Sequence, residues 1–187
     1  MIKIGITGSM SSGKSTVSNF LGKRNIPIFS ADAEVNKIYK NKYFLKKIKK
    51  FFVFKNSLNI KTQVKKKIKD DHKKLEILEK VIHPIVRKKM ILFLKTRKHA
   101  KFCICEIPLL IENKLNKYFD YVIFVDAKKS IRLNRYIKKG GIKKIFLALN
   151  KRQLSRKKKI LKSNYVINNN SSLKELKKNV KILFNSL

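Results

Sequence analysis

The segment GSMSSGKS at positions 8–15 carries the residue types best suited to chemistry. It satisfies the pattern G-x-x-x-x-G-K-[ST], in which a loop wraps its backbone N–H groups around triphosphate oxygens. Glycine is required at Gly8 and Gly13, where a Cβ would clash or φ must be positive. The ammonium of Lys14 would reach the β- and γ-phosphates, and the hydroxyl of Ser15 would ligate Mg²⁺. The predicted ATP-binding residues are Gly8, Ser11, Ser12, Gly13, Lys14, Ser15 and Thr16.

Two elements have to hold this loop in place. Residues 2–6 read as a short buried strand, and residues 14–23 are helix formers. The N-terminus of that helix carries about half a positive charge and would point at the bound anion. The loop does not distinguish ATPases, GTPases and small-molecule kinases from one another. The base-reading Asn-Lys-x-Asp of GTPases is approached at Asn150-Lys151-Arg152-Gln153, which lacks the Asp.

The rest of the chain alternates between strand and helix patterns. Further strands are predicted at 26–29, 101–107, 121–125 and 165–167, and helices at 128–139, 143–161 and 172–184. Residues 33–98 are largely helical by period, with a break at 56–59 and a kink or boundary at His83-Pro84. Strands that alternate with helices predict an α/β fold with a parallel sheet covered on both faces.

The charge is extreme, because 48 Lys and Arg against 11 Asp and Glu give a net charge of +37. One interpretation is a polyanion partner, either nucleic acid or a membrane surface. The other is compositional drift, since Lys, Ile, Asn and Phe are all abundant and all have AT-rich codons. Basic residues occur in nearly every segment, which favours drift. We therefore expect no specific nucleic-acid partner.

Hydropathy and cysteine usage indicate the cellular compartment in which the protein is expected. No apolar run approaches the roughly 18 residues of a membrane span, and residues 2–7 read as a strand instead of a leader. We expect a soluble cytoplasmic protein without a membrane partner. Cys103 and Cys105 lie two apart in an apolar run, and we expect them to be reduced core residues.

Several segments together are similar to one family. They are Gly5-Ile6-Thr7-Gly8, Gly13-Lys14-Ser15-Thr16, Ser30-Ala31-Asp32, Ile82-His83-Pro84, Glu106-Ile107-Pro108-Leu109-Leu110-Ile111-Glu112, Asp120-Tyr121-Val122-Ile123, Gln153 and Tyr165-Val166-Ile167-Asn168-Asn169. In order and spacing this set resembles the dephospho-coenzyme A kinases, and it covers nearly the whole chain. The Ile-Pro-Leu-Leu-x-Glu segment and the His-Pro dipeptide discriminate best, since the loop alone occurs in many families.

The resemblance implies a reaction and a fold. The family phosphorylates the ribose 3′-hydroxyl of dephospho-coenzyme A with ATP and Mg²⁺. Its fold is a three-layer P-loop kinase with a five-stranded parallel sheet, a helical substrate-binding part and a lid. We therefore expect residues 1–187 to form a single kinase domain, with a monomer favoured. Its core would be about 1–32, 100–130 and 162–187, its helical substrate-binding part about 33–98, and its lid about 132–156.

The resemblance also implies site residues. Asp32 takes the position of the catalytic base beside Lys14 and also meets the substrate, although a helix N-cap is the alternative for a residue placed after a strand. His83 would lie near the substrate, or else be a satisfied histidine at a helix kink. The lid cations would be Arg135, Lys139 and Arg152, with Arg132 or Arg156 as substitutes.

Two further acids have expected roles, and four positions differ from the pattern of the family. Glu106 is placed for a water-mediated role at Mg²⁺, and Glu112 for a cap or for support of the substrate pocket. The departures are Ser9 and Ser11 where glycine is frequent, Ser30 in place of an Asp, and Lys139 in place of an Arg. An ammonium at Lys139 cannot make the bidentate phosphate contact of a guanidinium.

Overall fold

A computed structural model of the chain describes residues 1–52, 62–64 and 72–187. Five strands form one sheet in the order β2-β3-β1-β4-β5. They are β1 Ile2–Gly8, β2 Ile28–Ser30, β3 Phe102–Glu106, β4 Tyr121–Asp126 and β5 Tyr165–Asn168. The pairs β1–β3, β1–β4 and β4–β5 are all parallel. The predicted α/β fold with a five-stranded parallel sheet is confirmed.

Helices connect the strands. They are α1 Lys14–Gly22, α2 Ala31–Ile38, α3 Lys42–Lys49, α4 His72–Thr96, α5 Lys129–Lys138, α6 Lys143–Lys151, α7 Arg156–Leu161 and α8 Leu173–Asn185, with a short 3₁₀ helix at Leu115–Tyr118. Ser172 caps α8 by accepting a hydrogen bond from the N–H of Glu175. Within the described ranges, no helix is both long enough and apolar enough to pass through a bilayer.

The chain divides into two compact units. Met1–Phe29 and Thr96–Leu187 form the sheet unit, and Ser30–Lys95 form the helical unit. The sheet unit is built around Ile4 and Ile6 of the central strand β1, which have no exposed surface. Parallel strands buried on both faces are nearly continuous apolar runs, so the sequence pattern located them closely. The helical unit has its own apolar cluster, which includes Ile38, Phe44, Ile48, Leu78 and Ile82.

The order of the strands positions the chemistry. Strand β1 lies at the centre of the sheet and ends at Gly8, where the loop begins. Its neighbour β3 pairs Glu106 with Ile6, so Glu106 ends its strand two residues before β1 ends. The other neighbour, β4, ends at Asp126. The carboxyl edge of a parallel sheet is where open α/β folds bind ligands, and three loops converge there.

Three helical predictions differ from the structure. The predicted helix at 143–161 is two helices, because Ser155 caps α7 by accepting a hydrogen bond from the N–H of Lys158. Of the kink or boundary predicted at His83-Pro84, the boundary is wrong, since α4 runs through Pro84 with buried residues on either side of it, and the kink stays a prediction. A break at 39–41 was missed, where Asn41 accepts from the N–H of Phe44 and starts α3. The predicted break at 56–59 lies outside the described residues.

The two cysteines are core residues, as predicted. Cys103 and Cys105 lie on β3 as free thiols without exposed surface. Burial raises the pKa of both thiols above the ordinary value, and the shift is the larger one at Cys105. Both sulfurs therefore remain protonated at neutral pH and pack as small apolar groups.

Candidate active site

The loop between β1 and α1 has the backbone shape that its glycines predicted. Gly13 has a φ of 101°, a left-handed conformation that L side chains rarely adopt. A Cβ at Gly8 would lie 2.6 Å from the carbonyl oxygen of Val125, so that position has no room for a side chain. Ser11 has a φ of 59°. Such a conformation favours glycine, so serine at this position holds a backbone shape that L side chains seldom adopt.

Lys14 is held inside this loop. Its side chain is buried, and its Nζ donates hydrogen bonds to the carbonyl oxygens of Gly8, at 3.1 Å, and Ser9, at 3.2 Å. These bonds keep the ammonium within the ring of the loop instead of in solvent. The first turn of α1 contains no acidic residue of its own, so no carboxylate within the helix offsets its positive end. The loop is therefore electropositive at the point where its N–H groups converge.

Ser15 and Glu106 meet across two elements. The Ser15 hydroxyl at the start of α1 donates a 2.6 Å hydrogen bond to Oε1 of Glu106 at the end of β3. Glu106 is only 4% exposed. Because the hydroxyl proton points at the carboxylate, the lone pairs of Oγ are left for a cation.

This pair suits Mg²⁺, which prefers oxygen ligands and keeps several waters together with substrate phosphates. Among the described residues, no group of three or more His, Cys, Asp or Glu side chains could hold a metal by itself. The all-oxygen donor set of Ser15 and Glu106 therefore fits a metal that is carried in with a nucleotide better than one held by a protein cage.

A basic cleft of about 500 Å³ opens beside the loop. It is lined by Ser9 of the loop, by Asp126 at the end of β4 and by the cations Lys128, Lys129, Arg132 and Arg156. Asp126 is nearly buried, and its Oδ2 accepts a 2.8 Å hydrogen bond from Nε of Arg156. A cleft with four cations and one paired carboxylate has the electrostatics of an anion-binding site.

Arg132 joins helix α5 to the loop. Its Nη1 donates to the carbonyl oxygen of Met10 at 3.4 Å and to Oδ1 of Asn150 at 2.9 Å, and its Nε donates to the carbonyl oxygen of Ala127. Burial lowers the pKa of the guanidinium below its ordinary value, and Asp126 opposes that shift. The group stays charged, since the ordinary value lies so far above neutrality. Arg132 therefore supports the loop from outside.

The three predicted lid cations occupy different environments. Arg135 on α5 donates from Nη2 to Oδ1 of Asn169 at 3.2 Å, while its buried Nη1 has no partner among the described residues. Lys139 is exposed just after α5. Arg152 is exposed between α6 and α7. Through Asn169, which donates to the carbonyl oxygen of Ser12, the hydrogen bond of Arg135 leads to the loop.

Glu112 has a partner that the sequence did not indicate. Its Oε1 lies 2.8 Å from Nζ of Lys159, which has no exposed surface, and also accepts a hydrogen bond from the N–H of Leu154. Glu112 thus links the turn after β3 to Leu154 and to Lys159 of α7. No local pattern indicates this pair, since 47 positions separate its members and Lys159 lies among other lysines.

Asp32 and His83 belong to the helical unit. Asp32 is exposed in the first turn of α2, and Ser30 is the N-cap, since its Oγ accepts from the N–H of Ala33. The capping role considered for Asp32 therefore falls to Ser30. His83 is half-buried within α4. Burial lowers its pKa, Glu79 opposes the shift and Arg87 adds to it.

Asn169 is the residue of the loop region that sequence reasoning missed. It belongs to a segment similar to the family but has no predicted role there, yet its buried side chain donates to the carbonyl oxygen of Ser12 at 2.7 Å. One signal could have found it, because it directly follows β5 at the carboxyl edge of the sheet.

The fold and the loop define a kinase of the P-loop class. A crystal structure of a Thermus thermophilus protein superposes with a TM-score of 0.82 at 29% identity, over 100% of this chain and 97% of that one. A dephospho-CoA kinase from Campylobacter jejuni has a TM-score of 0.73 at 23% identity, over 98% and 96% of the two chains. A shikimate kinase from Bacteroides thetaiotaomicron shares the fold, with a TM-score of 0.59 at 13% sequence identity. The superposition covers 99% of this chain and 97% of that one.

Sequence comparison narrows the class to a family. The family model for dephospho-CoA kinase matches residues 2–175. A dephospho-CoA kinase from Bartonella henselae is 35% identical over 98% of this chain and 97% of its own length. A dephospho-CoA kinase from Rickettsia typhi is 33% identical over 100% of this chain and 98% of its own length. The chain belongs to the dephospho-CoA kinase family.

Proposed function

We propose that the chain transfers the γ-phosphoryl group of ATP to the ribose 3′-hydroxyl of dephospho-coenzyme A, giving coenzyme A and ADP. The observation that carries the proposal is the hydrogen bond between Ser15 and Glu106 beside the buried Lys14. This arrangement places a cation, a hydroxyl and a carboxylate at one anion-binding loop, and phosphoryl transfer uses these groups. Membership of the family supplies the identity of the acceptor.

Lys14 and the loop N–H groups would bind the triphosphate. The two carbonyl oxygens that hold Lys14 keep its ammonium directed into the loop. Such a preset positive charge stabilises the negative charge that develops as the bond from the γ-phosphorus to the β,γ-bridging oxygen breaks. The loop therefore supplies both affinity for ATP and part of the rate.

Ser15 would hold Mg²⁺ directly and Glu106 through a bound water. The buried carboxylate orients the hydroxyl by accepting its proton, and it adds a negative charge next to the cation site. When bound, Mg²⁺ would neutralise charge on the phosphoryl oxygens.

Asp32 would act as the general base. As the bond from the 3′-oxygen to phosphorus forms, the hydroxyl proton has to leave, and a carboxylate can accept it. Two features support this role. Asp32 is exposed, and it makes no hydrogen bond or ion pair with any described residue. Because Ser30 caps α2, the carboxylate is not needed for the helix terminus.

The remaining roles concern the substrate and the lid. We propose His83 as a substrate contact, since burial favours its neutral imidazole, which can both donate and accept hydrogen bonds. Arg135, Lys139 and Arg152 are the candidate lid cations. Arg135 has the strongest support, because a buried guanidinium donor normally has a partner and its Nη1 lacks one among the described residues.

The contacts that hold the loop are made by Lys14, Ser15, Glu106 and Asn169 of one chain. We propose that the enzyme works as a monomer. We place it in the cytoplasm, where ATP is produced. Light scattering on the purified protein tests the first statement, and a dimer would contradict it.

A substrate panel tests the proposed function. Purified protein with Mg-ATP is offered dephospho-coenzyme A, shikimate, gluconate and a set of nucleosides, and ADP formation is followed. We expect turnover with dephospho-coenzyme A alone, and we expect coenzyme A as the product by mass spectrometry. Faster turnover of any other compound would overturn the substrate assignment. Lys14→Ala serves as the control for contaminating kinases, since it removes the cation from the loop.

A further inference from the structure

The carbonyl of Ser12 accepts a hydrogen bond from the side chain of Asn169. Nδ2 of Asn169 donates to this oxygen at 2.7 Å, and Asn169 is only 5% exposed. The carbonyls of Gly8 and Ser9 have Lys14 as their donor, and that of Met10 has Arg132. Asn169 is thus the group that fixes the peptide unit between Ser12 and Gly13.

Fixing that carbonyl also fixes the next N–H. In a trans peptide the C=O and N–H bonds point in opposite directions. When the Ser12 carbonyl points at Asn169, the Gly13 N–H points away from Asn169. The Gly13 N–H makes no hydrogen bond to a described residue. It is therefore available to an anion.

Asn169 is itself rigidly held. Its backbone N–H donates to the carbonyl oxygen of Asp126 at 2.8 Å, which continues the pairing of β4 with β5. Its Oδ1 accepts from Nη2 of Arg135 at 3.2 Å. These partners allow only one orientation of the amide, with the NH₂ group toward the loop. The side chain cannot rotate without losing two hydrogen bonds.

The close approach of Asn169 gives Gly13 a second reason to be glycine. A Cβ built on Gly13 would collide with Nδ2 of Asn169. Gly13 therefore has to be glycine both because its φ is left-handed and because Asn169 packs against its Cα.

We infer that Asn169 is a positioning residue for phosphoryl transfer, which aims the Gly13 N–H at the phosphates of ATP by holding the Ser12 carbonyl. The inference rests on the proposed function, because it requires that the loop bind nucleotide. It assigns Asn169 no contact with substrate.

Selective labelling observes this N–H directly. The chain has six glycines, and Gly13 is the only one that follows a serine. Cell-free protein with [1-¹³C]serine and [¹⁵N]glycine therefore gives one signal in a carbonyl-filtered amide spectrum. In the wild type, we expect Mg-ADP to move the Gly13 amide proton downfield as it donates to phosphate. In Asn169→Ala, we expect that shift to be much smaller at saturating Mg-ADP.

Kinetics give the second measurement. Asn169→Ala should raise the KM for ATP about tenfold, as expected for one misdirected hydrogen bond, and leave the KM for dephospho-coenzyme A unchanged. Asn169→Asp keeps the acceptor for Arg135 but cannot donate to Ser12, so it should fail in the same way. Asn168→Ala is the matched control, since Asn168 is the exposed last residue of β5.

The outcomes separate the inference from the function on which it rests. If the wild-type Gly13 signal does not respond to Mg-ADP, the nucleotide site itself is wrong and the inference fails with it. If the wild type responds and folded Asn169→Ala shows the same shift and the same KM for ATP, the site stands and Asn169 only stabilises the fold.

Discussion

Ser15 and Glu106 are joined by a 2.6 Å hydrogen bond between the first turn of α1 and the last residue of β3. The bond links the residue proposed to ligate Mg²⁺ to a buried carboxylate on the neighbouring strand. It predicts that Glu106→Gln, which keeps the shape and an acceptor oxygen, weakens the binding of Mg²⁺ without unfolding the protein. The Mg²⁺ concentration for half-maximal rate should rise about tenfold, as is typical for partners of metal ligands.

The control for this titration is Glu175→Gln, because Glu175 is an exposed acid on α8. It should leave the Mg²⁺ dependence unchanged. An unaltered Mg²⁺ titration in Glu106→Gln would show that Glu106 has no part in metal binding.

The buried ion pair between Glu112 and Lys159 predicts a large effect on stability. Lys159→Met leaves a mostly buried carboxylate without its cation, and loss of one partner from such a pair costs about 3–5 kcal/mol. Urea unfolding measures this free energy. Lys158→Met changes an exposed neighbour and should cost little. A double variant, Glu112→Gln with Lys159→Met, should recover part of the loss. Equal stability of Lys159→Met and the wild type would contradict the pairing.

His83 predicts a pH dependence of stability. Because burial lowers its pKa in the folded protein, with Glu79 opposing and Arg87 adding to the shift, protonation favours the unfolded state. This contribution is fully present above the ordinary histidine value of about 6.5 and is lost as pH falls through the lowered folded-state pKa.

The measurement for His83 compares urea midpoints at about pH 7.5 and about pH 5, on either side of that ordinary value. The drop in midpoint should be smaller for His83→Gln than for the wild type. His99→Gln, at an exposed position, should behave like the wild type. An identical drop in His83→Gln would remove His83 as the cause.

The lid prediction concerns Lys139, which lies one helical turn beyond Arg135. If the ammonium of Lys139 contacts phosphate as a point charge, Lys139→Arg should hold or raise kcat and Lys139→Ala should lower it. Steady-state rates at saturating substrates decide this. Wild-type rates in Lys139→Ala would contradict the role, and a loss of turnover in Arg135→Lys would then assign the contact to Arg135.

The elements that the sequence predicted well are those determined by local pattern. All five strands were located to within two residues of their bounds. For β1, β3 and β4 the reason is that strands buried on both faces are apolar runs. The loop at Gly8 to Ser15 was recognisable because phosphate binding requires glycines at particular places.

The elements that were missed depend on partners remote in the chain. The side chain of Asn169 acts on Ser12, 157 positions away. Glu112 meets Lys159 only after folding, and nothing local distinguishes Lys159 from its neighbours. Helix α4 continues through Pro84 because the burial of Leu78, Ile82 and Met90 on either side stabilises the helix more than the lost hydrogen bond weakens it.

The central claim is that this chain makes coenzyme A by phosphoryl transfer, with Asp32 as the base. The most direct test is the rate of coenzyme A formation from dephospho-coenzyme A and Mg-ATP by the wild type and by Asp32→Asn. The amide cannot accept the hydroxyl proton, and Ser30 still caps α2, so the fold and the affinity for ATP should be kept while the rate falls about 10²–10⁴-fold. A wild type that forms no coenzyme A, or a folded Asp32→Asn within a few-fold of the wild-type rate, would contradict the account.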